Sequence, residues 1–232
     1  MNPSTEQLRA LVAYDTPTVC NALELVAPER RGHGFTTSPL VCPDPAREPM
    51  VGFARTATIR AAQPSGRSRE DDTAARLAYY AHIAAEPQPT ITVIEDIDPC
   101  PGYGAWWGEV HTSVHRGLGS VGVVTNGSIR DLDEIAEGFG LLAGSVGPSH
   151  AHVHVVDIAV PVNVAGMRVL SGDIVHADRH GAVVVPADAV AAIPDAVDKI
   201  VAAESILIEA SKRPGFDYAT LERILTGGGG SH

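Results

Sequence analysis

The chain has 232 residues, with 17 basic against 28 acidic side chains and a formal net charge of −11. Apolar residues make up 44% and charged residues 19%, which supports a sizeable core and excludes intrinsic disorder. The acidic excess argues against a nucleic-acid partner, and no apolar run reaches the ~18–20 residues needed to cross a bilayer.

The opening residues show no basic stretch followed by an apolar one, so no secretory leader is expected. Cys20, Cys42 and Cys100 have no short pairing, which fits reduced thiols in a cytoplasmic protein. A helix is expected where Leu8, Leu11 and Val12 follow the candidate caps Ser4 and Thr5. A second begins at Thr16-Pro17, with Val19, Leu23 and Val26 on one face. A loop over 29–47 leads into a strand over 51–59, and a polar loop over 61–72 into a helix over 74–85.

Next comes an alternation of strands and helices, the pattern of a sheet with helical crossovers. It comprises a strand over 90–94, a short helix over 109–116 stopped by Gly117, a strand over 120–125 and a turn at Asn126-Gly127. Leu132, Ile135, Ala136 and Phe139 at i, i+3, i+4 and i+7 predict a helix over 131–139. A strand is expected over 153–164, and paired strands over 169–186 with turns at Ser171-Gly172 and 178–181. A helix over 194–212 closes the fold. Residues 1–226 are therefore read as one α/β domain, a layered sandwich with a central sheet flanked by helices, and 227–232 as a Gly-rich tail.

The strongest chemical feature is Asn126-Gly-Ser-Ile-Arg130-Asp131, at the carboxyl end of a buried strand, where open α/β sheets bind ligands. Asp131 either caps a helix or binds a hard cation, with Arg130 holding a carboxylate in a bidentate fork. Gly108-Glu109-Val110-His111 opens a helix whose free N–H groups form an anion site, a signal that every helix start shares. Glu204 falls at the centre of an apolar helical face made by Ile193, Val197, Ile200, Val201 and Ile208. A carboxylate there is either salt-bridged at an interface or reaches a neighbour's site.

His150, His152 and His154 alternate and would share one strand face. At that spacing three rarely converge on one ion, so packing or anchoring of a substrate carboxylate is favoured over a metal. Glu95, Asp96 and Asp98 are read as a solvated loop in preference to a Mg²⁺ site. No dinucleotide fingerprint, phosphate loop, nucleophile elbow or Cys-x-x-Cys is present.

Several stretches resemble the RraA-like family, which includes class II pyruvate aldolases acting on 4-hydroxy-4-methyl-2-oxoglutarate and regulators of ribonuclease E. They are Val51-Gly-Phe-Ala-Arg-Thr-Ala, Trp107-Gly-Glu-Val, Gly122-Val-Val-Thr-Asn-Gly-Ser-Ile-Arg-Asp131, and the run from Ser171-Gly-Asp to Pro186. The resemblance covers about residues 5–210.

It implies that Gly108, Glu109, Val110, His111 and Arg130 hold a pyruvoyl group, that Asp131 binds Mg²⁺ or Mn²⁺, and that Glu204 acts in an adjacent subunit's site. It also implies a homotrimer or hexamer, release of pyruvate from a 4-hydroxy-2-oxo acid, and oxaloacetate decarboxylation as a side activity. Ribonuclease regulators of the family can lack the aspartate. Its presence here favours the enzyme over a non-catalytic regulator or another lyase, hydratase or isomerase on the same scaffold. No Schiff-base lysine is needed, and Lys199 and Lys212 are the only lysines. The chain departs from the family at Asn126, where Asp is usual, at Asn21, where an acid is frequent, in the histidine run, and in the polar loop at 63–72.

Overall fold

The computed structural model describes residues 3–227, so of the expected tail only Gly227 is included. Its helices are α1 (Thr5–Leu11), α2 (Thr16–Val26), α3 (Arg69–Ala84), α4 (Glu109–Gly117), α5 (Ile193–Ser211) and α6 (Tyr218–Thr226). The strands are β1 (Met50–Arg60), β2 (Thr90–Asp96), β3 (Ala105–Trp107), β4 (Ser120–Thr125), β5 (Ser128–Ile129), β6 (Gly140–Leu142), β7 (Ser145–Val146), β8 (His154–Ile158), β9 (Val162–Val164), β10 (Met167–Val169), β11 (Ile174–Asp178) and β12 (Gly181–Val185).

Local chemistry sets the helix starts. Ser4 and Gln7 form a capping box on α1, Asp15 caps α2 with Pro17 in its first turn, and Ser68 caps α3. The Ser68 cap starts α3 five residues earlier than the periodicity indicates, so the expected polar loop ends in helix.

The main sheet runs β12-β11-β1-β2-β4-β6, with β8 also on β1. Its β1-β2-β4-β6 half is parallel and its β1-β11-β12 half antiparallel. Strand β1 is buried at every position but its last, as a central strand covered on both faces must be. A small parallel sheet, β3-β5-β7, lies beside the main one. Leu8, Leu11, Val19, Leu23 and Ile193 pack α1, α2 and α5 onto the β1-β11-β12 end. A second core beneath β9 and β10 holds Met50, Ile91, Val93 and Val175. The third packs α3, α4 and β3 on the sheet through Tyr79, Ile83, Trp106, Trp107, Ile129 and Phe139.

Three expectations fail locally. The helix over 131–139 is absent. Asp131 stands in the left-handed region (φ 53, ψ 48), only Leu132–Glu134 forms a helical turn, and Ile135 is already extended. A helix entry requires extended backbone at its cap, so Asp131 turns the chain away, and Phe139 is buried ahead of β6. The strand over 153–164 is two strands, β8 and β9, broken at Ala159 (φ 57). One more helix, α6, follows α5.

Candidate active site

Strand β3 delivers Trp106 and Trp107 into the third core, and Gly108 then caps α4 with no side-chain bond. The first intrahelical bond is donated by Thr112 to Gly108 (3.0 Å), so the N–H groups of Glu109, Val110 and His111 have no intrahelical acceptor. The Arg130 N–H donates to the Trp107 carbonyl at 2.9 Å, fastening the end of β5 beside this helix start.

The left-handed turn at Asp131 then folds its carboxylate over Gly108. A Cβ at residue 108 would lie 2.5 Å from Asp131 Oδ2 and 3.2 Å from Arg130 Cγ. The two long-separated segments thus meet because residue 108 has no side chain. The Arg130 Nε stands 3.6 Å from Asp131 Oδ2, with both side chains about one-third exposed. That single long contact leaves the two terminal guanidinium nitrogens without an acceptor among the described residues.

Arg130, Val110 and His111 line an open cleft of about 650 Å³. Trp106 lies between them and the core, its ring centroid 4.3 Å from that of His111. Burial, with Arg76 and Arg130 adding to it, pushes His111 down to about 4, so this imidazole is uncharged at neutral pH. Behind it His115, fully buried, is pushed down to about 3 by burial. Its Nδ1–H donates to the His111 carbonyl (2.6 Å), which leaves Nε2 to accept from the Tyr79 hydroxyl (2.6 Å).

The expected residues separate into those brought together and those left apart. Gly108, Val110, His111, Arg130 and Asp131 form one cluster, although Asp131 and Gly108 sit beside the cleft and do not line it. Glu109 is exposed on the first turn of α4 and is not among the lining residues. Glu204 is half-buried on α5, which packs on α1 and α2, and it too is outside the lining set. The inner half of its helix face is in the core, but Val201 and Ile208 are about half exposed.

The histidine run does not share a strand face. The residues before His154 form a turn with Ala151 at φ 45, and only His150 and His154 reach the cleft. Asp96 and Asp98 are not solvated. Asp98 accepts from the N–H groups of Ala61 and Ala62 (2.6 and 2.7 Å), and Asp96 from those of Asp98 and Gly102. Both acids brace loops.

No three His, Cys, Asp or Glu side chains converge among the described residues. Asp131 is the carboxylate that the structure turns over Gly108, and a single protein carboxylate suits a hard divalent cation that keeps several waters and takes further ligands from substrate. The sequence missed Arg67, Arg69 and Arg76, which also line the cleft. Residues 69, 72, 73 and 76 lie at i, i+3, i+4 and i+7, a signal hidden because the helix was begun at residue 74, after the first three of them.

A family model described as RraA-like: Aldolase/RraA matches residues 16–184. The chain belongs to this family. Proteins of Burkholderia mallei and Burkholderia pseudomallei provisionally named 4-hydroxy-4-methyl-2-oxoglutarate aldolase are 38% identical over 68 residues, 28% of this chain and 41% of theirs. The match thus spans less than half the length of these relatives.

Streptomyces coelicolor RraAS2, described as an unusual member of the RNase ES inhibitor RraA protein family, is similar in structure. Its TM-score is 0.66 at 26% identity, covering 92% of this chain and 99% of that one. An uncharacterized protein of Pseudomonas syringae pv. tomato shares the fold, with TM-score 0.68, 20% identity and coverage of 97% and 98%. Among the described residues of the RraA-like chain, no helix is long and apolar enough to cross a membrane.

Proposed function

We propose that this RraA-like protein is a divalent-cation-dependent lyase that cleaves a 4-hydroxy-2-oxo acid, of the 4-hydroxy-4-methyl-2-oxoglutarate type, to release pyruvate. The observation that carries the reading is the guanidinium of Arg130 held beside the Asp131 carboxylate at an uncapped helix start, facing an open cleft. The two free terminal nitrogens of Arg130 suit a bidentate grip on the substrate's 1-carboxylate. The free N–H groups of Val110 and His111 add partial positive charge on the same side.

Asp131 is the residue that would hold Mg²⁺ or Mn²⁺, and such an ion supplies Lewis-acid charge to a 2-oxo acid. In the reaction the C3–C4 bond breaks, and its electron pair moves into the pyruvate enolate. The 4-hydroxyl loses its proton as the new carbonyl forms, and C3 regains one. Arg130 and the start of α4 face the oxyanion end and stabilise the charge as it develops.

His111, being neutral, can offer a hydrogen bond without a competing charge. We assign the proton of the 4-hydroxyl to Glu204 of a neighbouring copy in a trimer or hexamer, because the half-exposed apolar flank around Glu204 suits a subunit contact. The same enolate chemistry predicts decarboxylation of oxaloacetate.

The likeness to RraAS2 over nearly the whole of both chains favours a second reading, a non-catalytic protein that binds an RNase E-type partner. Pyruvate release from 4-hydroxy-4-methyl-2-oxoglutarate and from oxaloacetate, measured with Mg²⁺, Mn²⁺ or EDTA, separates the two. The lyase reading expects turnover that EDTA abolishes, and an Asp131→Ala protein that added Mg²⁺ does not restore. Folded protein with no turnover of either acid in Mn²⁺ would overturn it.

A further inference from the structure

The α3 side of the cleft carries charge that the chemistry at Arg130 does not use. Arg67, Arg69 and Arg76 line it, with Asp72 as the one acid among the lining residues. In a chain of net charge −11 this concentration of cations runs against the overall balance.

Arg67 is accounted for, since its Nε lies 3.1 Å from Asp72 Oδ1 and its Nη2 donates to the Val155 carbonyl. That pair also neutralises Asp72. Arg69 and Arg76 have neither an ion-pair partner nor a hydrogen-bond acceptor for their guanidinium groups among the described residues. Arg69 is moreover the first residue of α3, where a cation meets the positive end of the helix and costs stability. The next three residues, Glu70, Asp71 and Asp72, show what that position favours. Arg76 lies two turns further along the same face and lines the same cleft as His111 and Arg130. The cleft, about 650 Å³, has room for more than a three-carbon head group, in the range that takes larger ligands.

We infer that Arg69 and Arg76 form a distal oxyanion subsite, and that these two side chains grip the carboxylate or phosphate at the far end of the substrate. The inference rests on the lyase reading for the substrate's head, but not for the binding of an anion at α3. In this arrangement Arg130 fixes the end where charge develops, and the α3 pair fixes register and selects acids by length and charge.

Titration calorimetry in the presence of Mg²⁺ tests this without turnover, using 2-oxobutyrate, 2-oxoadipate and inorganic pyrophosphate as probes. The proteins are wild type, Arg69→Gln/Arg76→Gln and Arg130→Met. Wild type is expected to bind 2-oxoadipate about ten- to a hundredfold more tightly than 2-oxobutyrate, the worth of charge-assisted bonds to one more carboxylate. The α3 double variant should lose that preference while binding 2-oxobutyrate unchanged, and Arg130→Met should lose both acids.

If the pyruvoyl reading is wrong, neither oxo acid binds through Arg130. Pyrophosphate should still bind wild type and Arg130→Met alike, and bind the α3 variant at least tenfold more weakly. Equal binding of 2-oxobutyrate and 2-oxoadipate by wild type, together with pyrophosphate binding indifferent to the α3 substitutions, overturns the inference. So does a change of assembly mass in the α3 variant with anion binding unaltered, which would give these arginines to a subunit contact.

Discussion

Replacing Gly108 by Ala adds one methyl group at the point where the two halves of the site meet. Its backbone is extended (φ −171, ψ −164), so alanine fits the conformation, and the whole effect is steric. The new Cβ would stand 2.5 Å from Asp131 Oδ2, whereas ordinary contact begins at 3.4 Å, so the carboxylate must retreat by about 0.9 Å. Asp131 is one-third exposed and can swing outward, at about 0.5–1.5 kcal/mol for leaving its rotamer. That predicts a melting temperature lowered by only a few degrees for a domain of this size.

Chemistry is less forgiving, because a misplacement of about 1 Å can cost on the order of a hundredfold in rate. Pyruvate release coupled to lactate dehydrogenase at saturating Mg²⁺, beside a thermal melt, separates the two effects. The expected Gly108→Ala protein is folded, with kcat/KM down about a hundredfold. Unchanged activity would show that the position of the Asp131 carboxylate over residue 108 does not matter to the reaction. A melting temperature lowered by tens of degrees would show that this carboxylate cannot move aside.

Two further outcomes concern the buried polar groups. His111 and His115 are held at about 4 and 3, neutral in the fold, while the unfolded chain titrates near the ordinary value of about 6.5. As pH falls from 7 towards 4 the unfolded state takes up protons that the folded state refuses. Stability is therefore full above about 6.5 and lost below it, by up to about 1.4 kcal/mol per pH unit for each imidazole. Denaturant midpoints at pH 7, 6 and 5 should show the loss, and His115→Gln should flatten it by about one imidazole's share; an unaltered slope would contradict the burial argument. Asp98→Ala strips two backbone N–H groups of their acceptor and should cost about 2–5 kcal/mol. The loss should be the same with Mg²⁺ or EDTA, since Asp98 braces a loop, and a loss that Mg²⁺ modulates would return it to metal binding.

Much of the fold was legible because its signals are local. The cap at Ser4, Pro17 in a first helical turn, the β-branched run Thr90–Ile94 and the 178–181 turn each depend on neighbours in sequence, whereas the Ser68 cap was passed over inside a stretch read as a polar loop. The segment after Arg130 was misread for the same reason. Its apolar spacing is helical, yet Phe139 and the residues after it satisfy that pattern by entering the third core and β6, where burial and strand pairing outweigh local propensity.

From the sequence alone came the one-domain α/β class, the family resemblance, and the nomination of Arg130, Asp131 and the 108–111 helix start. Only the tertiary structure decided which candidates share a site. It set Asp131 over Gly108, gave Asp96 and Asp98 to loop bracing, left Glu204 on a helix packed elsewhere, and drew Arg69 and Arg76 into the cleft. Periodicity reports which face of an element is apolar. Which distant element covers that face, and which charges then meet, is settled by close packing of the whole chain.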